Sequence, residues 1–314
     1  MEEAEKKMKN NALIAMDKSK SFRVYLAVTT EMTETARQIH ATTPLATAAL
    51  GRVLTGAGLM GLMLKGKRDK LTVQFKGDGP AQQILATAIA DGRVKGYIAN
   101  PEAALPLKEN GKLDVGGALG VGELRVIKDL GLKDPYIGSI ALVSGEIADD
   151  LTAYYYISEQ QNTAFALGVK VDRDYSVLCS GGMVIQMLPD AEEGAIAALE
   201  AMIAEMPPLT TLIEQETQES GEQTPEAFAE ALLHRIFRGL PEEYQVEKLE
   251  ERNIRWECGC SRERMEQALC AIGKKDLQEL IEEDGQAELT CQFCTKSYFF
   301  TRSELEELLK QAQN

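Results

Sequence analysis

Four cysteines near the C-terminus form two close pairs. Cys258 and Cys260 are separated by one residue, Cys291 and Cys294 by two, and thirty residues lie between the pairs. Two close pairs across a long loop are how four thiolates reach the corners of a tetrahedron around zinc. The spacing therefore predicts a metal site that holds one zinc ion per chain through four sulfurs. Unrelated buried thiols are the alternative interpretation.

The first pair indicates chemistry beyond a structural metal site. Zinc ribbons usually have a two-residue gap between paired cysteines, and Cys258 and Cys260 have a gap of one. Metal-bound sulfurs are thiolates, the form that attacks peroxide, and each sulfur here has a neighbour close enough to form a disulfide with it. The four cysteines are therefore candidates for redox-active disulfides as well as for metal ligands.

The other reactive residue types give little sign of catalysis. His40 and His234 are the only histidines, which leaves little room for a histidine-dependent catalytic set. The glycine turns lack the residues of a phosphate-binding loop or a dinucleotide fingerprint. Cys179 and Cys270 are expected to be buried as small apolar residues, because four nearby sulfurs already complete the zinc shell. We predict no catalytic residues, no cofactor other than zinc, and no enzyme.

Composition limits the partners and the compartment. The 314 residues are 44% hydrophobic and carry a net charge of −15, which repels nucleic acid and anionic membranes. The longest uncharged apolar run, residues 53–64, is shorter than the roughly twenty residues of a membrane span. Six cysteines without an export signal favour metal or redox chemistry over structural disulfides. We expect a cytoplasmic protein with no nucleic-acid or membrane partner.

The pattern of strand-like and helix-like runs changes along the chain, and we predict an α+β fold. Residues 22–189 alternate strand-like and helix-like runs, as in the strand-like LTVQFKG followed by the helix-like QQILATAIADG, and form a mixed α/β domain. Residues 1–21 precede it as an extension, either a disordered tail or a segment before an alternative start at Met16. Residues 253–314 contain the cysteines and form a small zinc-binding redox-switch module.

The segment between these domains, residues 190–252, has a helical pattern only. Its helices each have one apolar face, and residues 206–253 contain 11 acidic and 4 basic residues. It is therefore interpreted as an acidic helical linker rather than a compact core of its own. With no partner inside the linker, the apolar faces are expected to pack on the α/β domain.

Several segments together resemble the 33 kDa chaperonin family over nearly the whole chain from residue 22. They are ECGCSRER, CQFC, TTPLATAALGRVL, LTVQFKGDGP, VIKDLGLKDPYIGSIALVSGEIADDLTAYY and GGMVIQMLP. The resemblance implies an ATP-independent holdase chaperone that is inactive when reduced and zinc-bound. It implies that oxidation pairs Cys258 with Cys260 and Cys291 with Cys294, releases zinc and exposes surface for unfolded client proteins. It also implies that the active form dimerises.

Two other function classes stay open on the residues alone. One is a thiol-disulfide oxidoreductase that uses the pair Cys291 and Cys294, although such a pair normally begins a helix that lowers the thiol pKa. The other is a constitutive zinc module for binding protein or nucleic acid, and the acidic charge balance disfavours nucleic acid.

Overall fold

A computed structural model describes residues 10–221 and 223–311 of the chain. The chain divides after Trp256 into two compact units, which we call unit 1 (residues 1–256) and unit 2 (residues 257–314). Helices and strands are interspersed along unit 1, and unit 2 combines a hairpin with three helices. The α+β class predicted from the sequence is confirmed.

Unit 1 contains two mainly antiparallel sheets and seven α-helices within its described residues. Its strands are β1 (Asn11–Asp17), β2 (Phe22–Val28), β3 (Lys70–Gly77), β4 (Gln83–Ile89), β5 (Arg93–Ile98), β6 (Gly122–Asp129), β7 (Tyr136–Ala141), β8 (Thr163–Val171), β9 (Val177–Met187), β10 (Val246–Arg252) and β11 (Arg255–Trp256). Its helices are α1 (Thr30–His40), α2 (Pro44–Leu62), α3 (Val115–Leu119), α4 (Ala148–Ile157), α5 (Glu193–Glu205), α6 (Leu209–Ser220) and α7 (Pro225–Phe237).

The first sheet has the strand order β10-β1-β2-β9-β8, and the second has the order β11-β5-β4-β3-β6-β7. All neighbours pair antiparallel except β11, which runs parallel to β5. The first sheet is built from strands far apart in sequence. Its formation therefore brings the chain after α7 back to the N-terminal strand.

Helix α2 is the central helix of unit 1. The hydroxyl of Thr43 accepts a hydrogen bond from the backbone N–H of Ala46, and Pro44 occupies the first turn, as the sequence predicts for a helix start. By length and composition α2 could cross a membrane, and so could α5 and α6 taken together as a bent pair, but 94% of the apolar window of α2 is buried inside the protein. That burial is the pattern of a core helix.

Helices α5, α6 and α7 cover the face of the first sheet opposite α2. The apolar side chains of α7 pack with those of β1, β2 and β9 in one buried cluster. The ring of Phe237 stacks on Phe22 with 6.3 Å between centroids. The helices predicted as a linker thus bury their apolar faces on the α/β domain, as expected from the sequence.

The N-terminal segment is part of this sheet. Residues 11–17 form β1, which lies between β2 and β10 and completely buries Leu13 and Ala15. The prediction that residues 1–21 form an extension outside the domain is therefore wrong from Asn11 onward, and residues 1–9 lie outside the described residues. Charged residues on either side of this short apolar run hid a central strand.

Two segments predicted as helical are strands. The run QQILATAIADG contains β4, in which Ile84, Ala86 and Ala88 alternate into the core. Residues 246–252, at the end of the predicted helical linker, form the edge strand β10. Pairing with β1 overrides a local preference for helix in β10, whereas the sequence of β4 suits either structure and its pairing with β3 decides it.

Unit 1 also continues past the predicted boundary between residues 252 and 253. Ile254 is completely buried, and a Cβ added at Gly58 of α2 would lie 2.4 Å from its Cδ1 atom. The next two residues form β11, which adds to the second sheet beside β5. The absence of a side chain at Gly58 makes room for Ile254, so this stretch of chain belongs to the core of unit 1.

Candidate metal and redox centre

Unit 2 is a small α+β unit with a limited core. Its elements are α8 (Arg262–Ala271), α9 (Lys274–Glu283), β12 (Gln286–Thr290), β13 (Ser297–Thr301) and α10 (Arg302–Gln311). Strands β12 and β13 form an antiparallel hairpin. Its buried apolar cluster consists of Leu269, Leu277, Ile281, Tyr298, Phe300, Leu305 and Leu308.

The hairpin turn positions the second cysteine pair. Cys291 and Cys294 lie between β12 and β13, where the backbone N–H of Cys291 donates to the carbonyl of Lys296 at 3.0 Å. Thr295 then adopts a left-handed conformation with φ of 57° and donates its N–H to the carbonyl of Cys291 at 2.8 Å. This tight turn brings the two sulfurs to one side of the hairpin.

The first cysteine pair lies just before α8, and Arg262 ties this segment to the hairpin. Its guanidinium donates to the carbonyl of Phe299 at 2.9 Å and to the carboxylate of Glu304 at 2.6 Å. The same group lies over the ring of Phe300, 4.4 Å from the centroid. Cys258 and Cys260 are thereby held beside the turn, although each pair comes from a different part of the unit.

All four sulfurs lie within 4.8 Å of one another. Cys258 Sγ is 3.7 Å from Cys291 Sγ, and Cys260 Sγ is 3.3 Å from Cys294 Sγ. A tetrahedral zinc site with Zn–S bonds of about 2.3 Å has sulfurs roughly 3.8 Å apart. The donor set and its spacing fit a tetrahedral thiolate metal site, and within the described residues no other cluster of candidate ligands is present.

Burial and hydrogen bonding make the four thiols unequal. Burial raises the pKa of the Cys258 thiol to about 12 and also raises the pKa of Cys294. Burial acts in the same direction on Cys260, but hydrogen bonds from Tyr298 and from neighbouring thiols outweigh it and lower the pKa of Cys260 to about 7. Of Cys258, Cys260 and Cys294, Cys260 is therefore the residue whose thiolate is most favoured by its surroundings.

The remaining cysteines and the histidines lie outside the cluster. Cys179 is buried on β9 in unit 1, where burial raises the pKa of its thiol to about 12. Cys270 on α8 is partly buried against the core of unit 2, with its sulfur 3.7 Å from the carbonyl oxygen of Leu308. His40 and His234 belong to unit 1. Cys179 has the buried position expected from the sequence, Cys270 and His40 are partly buried, and His234 is exposed.

The geometry bears on the oxidoreductase alternative. Cys291 and Cys294 lie in a turn between two strands, not in the first turn of a helix. The helix N-terminus that lowers the thiol pKa in such motifs is therefore missing at this pair.

The sequence analysis did not single out Arg262, which joins the segments of the centre, or Tyr298, which contacts a sulfur. For Tyr298 a signal is present in the sequence: alternation along β13 places Tyr298 and Phe300 on the inner face.

Comparison with known proteins agrees with this architecture. The sequence model described as "Hsp33 protein" matches residues 10–301. The chain belongs to the Hsp33 family. The resemblance stated from the sequence is thereby confirmed, and the family supports a chaperone function with client proteins as its partners.

The chain is similar to Hsp33 relatives along its length. The 33 kDa chaperonin of Caldanaerobacter subterraneus is 45% identical over 291 residues, which cover 92% of this chain and 94% of the relative. The 33 kDa chaperonin of Clostridium tetani is 43% identical over 308 residues, covering 98% and 100%. The crystal structure of the Hsp33 homologue from Thermotoga maritima matches with a TM-score of 0.82 at 37% identity, covering 97% and 98% of the two chains.

Proposed function

We propose that this protein is a redox-regulated, ATP-independent holdase whose activity is controlled by the cysteine centre of unit 2. The observation that carries the proposal is the meeting of Cys258, Cys260, Cys291 and Cys294 within 4.8 Å in a unit with a small apolar core. About sixty residues bury too little apolar surface to offset their ordering entropy unaided. Loss of the centre should therefore unfold the unit that contains it.

In the reduced state the four cysteines are the proposed ligands of one zinc ion per chain. Bound zinc would hold the sulfurs as thiolates and join the two cysteine segments. Cys291 and Cys294 would contribute from the hairpin turn, and Cys258 and Cys260 from the segment before α8. We propose that this form is inactive and that the apolar faces of α5, α6 and α7 stay packed on the first sheet.

Oxidation by peroxide would convert the ligands into disulfides. One thiolate attacks a peroxide oxygen, which forms a sulfenic acid and releases hydroxide; a second thiolate then displaces hydroxide from that sulfur. Each disulfide thus takes two electrons from its sulfurs and consumes one peroxide, and the two hydroxides take up two protons from solvent to become water. Since all four sulfurs lie within reach of one another, distance does not select the pairing. We propose Cys258 with Cys260 and Cys291 with Cys294, following the family resemblance.

We propose that unfolding of unit 2 loosens the packing of helices α5 to α7, which precede it in the chain. Their apolar faces, and the sheet face beneath them, would then bind the exposed apolar segments of unfolded proteins. We propose that the active form is a homodimer in the cytoplasm and that nucleic acid and membranes are not partners, as the net charge of −15 favours. We further propose that no catalytic turnover is involved.

The deciding experiment compares reduced, zinc-loaded protein with peroxide-treated protein, both without ATP. Light scattering of a heat-unfolding client should fall in proportion to the amount of oxidised protein, and zinc release should accompany the gain. Tryptic peptides 256–262 and 276–296 should each lose two hydrogens without becoming linked. Equal suppression by the reduced form would refute redox control, and multiple turnovers of a dithiol substrate would favour the oxidoreductase.

A further inference from the structure

A tyrosine hydroxyl contacts one sulfur of the centre. The Oη–H of Tyr298 donates to Cys260 Sγ at 3.2 Å. Tyr298 is the second residue of β13, four positions after Cys294, and is 6% exposed. The hydroxyl thus reaches from the core of the hairpin to a sulfur of the other cysteine pair.

The ring of Tyr298 is packed in the core of unit 2. Tyr298 and Phe300 point into the core, whereas Phe299 between them is 64% exposed. Tyr298 pairs with Leu289 across the hairpin. The ammonium group of Lys296 lies 5.1 Å from the centroid of the ring. The hydrogen bond to Cys260 is therefore fixed by packing rather than made by a mobile side chain.

The four sulfurs differ in the kind of donor that they accept from. Cys258 accepts from the backbone N–H of Cys260, and Cys294 accepts from the backbone N–H of Lys296. Within the described residues of unit 2, Tyr298 is the one side-chain hydroxyl that donates to a sulfur of the centre. Its hydrogen bond can be removed by one substitution that leaves the backbone donors in place.

A hydrogen bond to a thiolate has two effects with the same consequence for a redox switch. It withdraws electron density from the sulfur, and a less basic thiolate attacks an electrophile more slowly. It also orients the ligand and supports metal binding, as outer donors around metal ligands generally do. Both effects keep the reduced centre intact at a given concentration of oxidant.

We propose that Tyr298 is a positioning residue that sets the oxidation threshold of the centre, by hydrogen-bonding the Cys260 thiolate and slowing its attack on peroxide. The proposal deepens the proposed function and rests on it for its biological meaning. One hydroxyl, bonded to one of the four sulfurs, slows oxidation of the whole centre. Removing that hydroxyl makes the switch respond to less peroxide.

The test uses full-length, reduced, zinc-loaded protein and the variant Tyr298→Phe, which keeps the ring and loses only the hydroxyl. Under excess peroxide, zinc release measured with a colorimetric chelator should be about three- to tenfold faster in the variant. In chelator competition its zinc affinity should fall about tenfold, the lower end of the range for outer-sphere substitutions. Ser297→Ala is the matched control, because it removes the neighbouring hydroxyl, which bonds Thr290 at 2.8 Å and no sulfur.

A cobalt(II)-substituted sample gives a readout that a purely structural role would not move. In Tyr298→Phe the sulfur-to-cobalt charge-transfer band should shift to lower energy, because the thiolate is more electron-rich, while the ligand-field bands of a tetrahedral site stay unchanged. Ser297→Ala should leave both unchanged.

Unchanged release rates together with an unshifted charge-transfer band in Tyr298→Phe would overturn the proposal. The proposed function fails separately, if peroxide releases zinc from neither the parent protein nor the variant. In that case the cobalt band still decides whether Tyr298 acts on the sulfur. A shifted band with a slower release would also overturn the proposal, because it would make the hydroxyl an aid to oxidation.

Discussion

The cysteines of this chain fall into two kinds of environment at the level of single residues. Cys258 is one of four sulfurs that converge, whereas Cys179 lies buried on a strand of unit 1 and Cys270 packs against the core of unit 2. A serine can replace a packed thiol at modest cost, but serine is a poor ligand for a metal that prefers thiolates. Substitution therefore separates the two roles.

We expect Cys258→Ser to lose most of its zinc, because three sulfurs cannot complete the tetrahedral shell. Metal analysis of reduced protein after gel filtration should give about one zinc per chain for the parent and far less for the variant. Cys179→Ser and Cys270→Ser are matched controls and should retain the parent amount. Full zinc retention by Cys258→Ser would remove this residue from the proposed ligand set.

The convergence of the four cysteines was predictable, and the hydroxyl beside them was not. The gaps of one and two residues are local features, so the sequence shows them directly. The contact between Tyr298 and Cys260 joins residues 38 positions apart in sequence and depends on how the hairpin packs beside the other pair. Long-range contacts of this kind leave no periodic pattern in a single sequence.

At the scale of elements, α7 attaches the acidic helical linker to the first sheet. Phe237 is 1% exposed and stacks on Phe22 of β2, and Ile236 is buried in the same cluster. Truncation of a buried isoleucine or phenylalanine side chain to alanine costs about 2 to 5 kcal/mol. A charge at either position adds a desolvation penalty. The packing of α7 is therefore open to disruption by one substitution.

We predict that Phe237→Asp loosens α7 from the sheet and gives the full-length protein chaperone activity under reducing conditions. The assay is light scattering of a denatured client with reductant present throughout. His234→Lys, which adds a charge on the exposed side of the same helix, is the control and should behave as the parent. Rapid hydrogen exchange in α7 without any suppression of aggregation would contradict the role assigned to these helices.

Strand prediction failed where local and long-range preferences disagree. VEKLEER, the sequence of β10, is rich in residues that favour helices, and only its pairing with β1 makes it a strand. QQILATAIADG is a short apolar run that suits either structure, and the hairpin with β3 decides it. Helix α2 was predictable, because Thr43 and Pro44 mark its start and a long apolar run follows.

At the scale of the whole molecule, the two units differ in what stabilises them. Unit 1 contains two large buried clusters, and unit 2 contains one cluster of seven buried side chains. Structural zinc contributes about 10 to 16 kcal/mol in small peptide sites, more than the margin expected for a unit of this size. Metal removal should therefore affect one unit and spare the other.

Hydrogen exchange on reduced protein should show this difference. After zinc is chelated, we expect amide protection to be lost in residues 257–311 and kept in the strands of unit 1. Adding zinc back should restore it. Protection that stays unchanged in unit 2 after complete removal of zinc would show that the unit folds without metal and would count against the switch.

A truncated chain tests the same division without chemistry at the sulfurs. The cut belongs after Trp256, because a cut after Arg252 would remove buried Ile254 and strand β11 from unit 1. We predict that residues 1–256 form a soluble, folded protein with at least partial activity against aggregation in the presence of reductant. A soluble, folded fragment that suppresses no aggregation would refute control by unit 2.

Strand β10 gives the molecule a particular mechanical behaviour. Six of its seven residues are exposed, so it is attached mainly by backbone hydrogen bonds to β1, with Arg252 opposite Ala12 and Val246 opposite Asp17. A pull on the chain after Arg252, directed away from β1, would break these hydrogen bonds one after another, beginning at Arg252. Sequential rupture needs less force than simultaneous shear of all the bonds. Buried Ile254 and strand β11 lie between β10 and unit 2, so a pull from unit 2 reaches β10 only after these residues have left the core of unit 1.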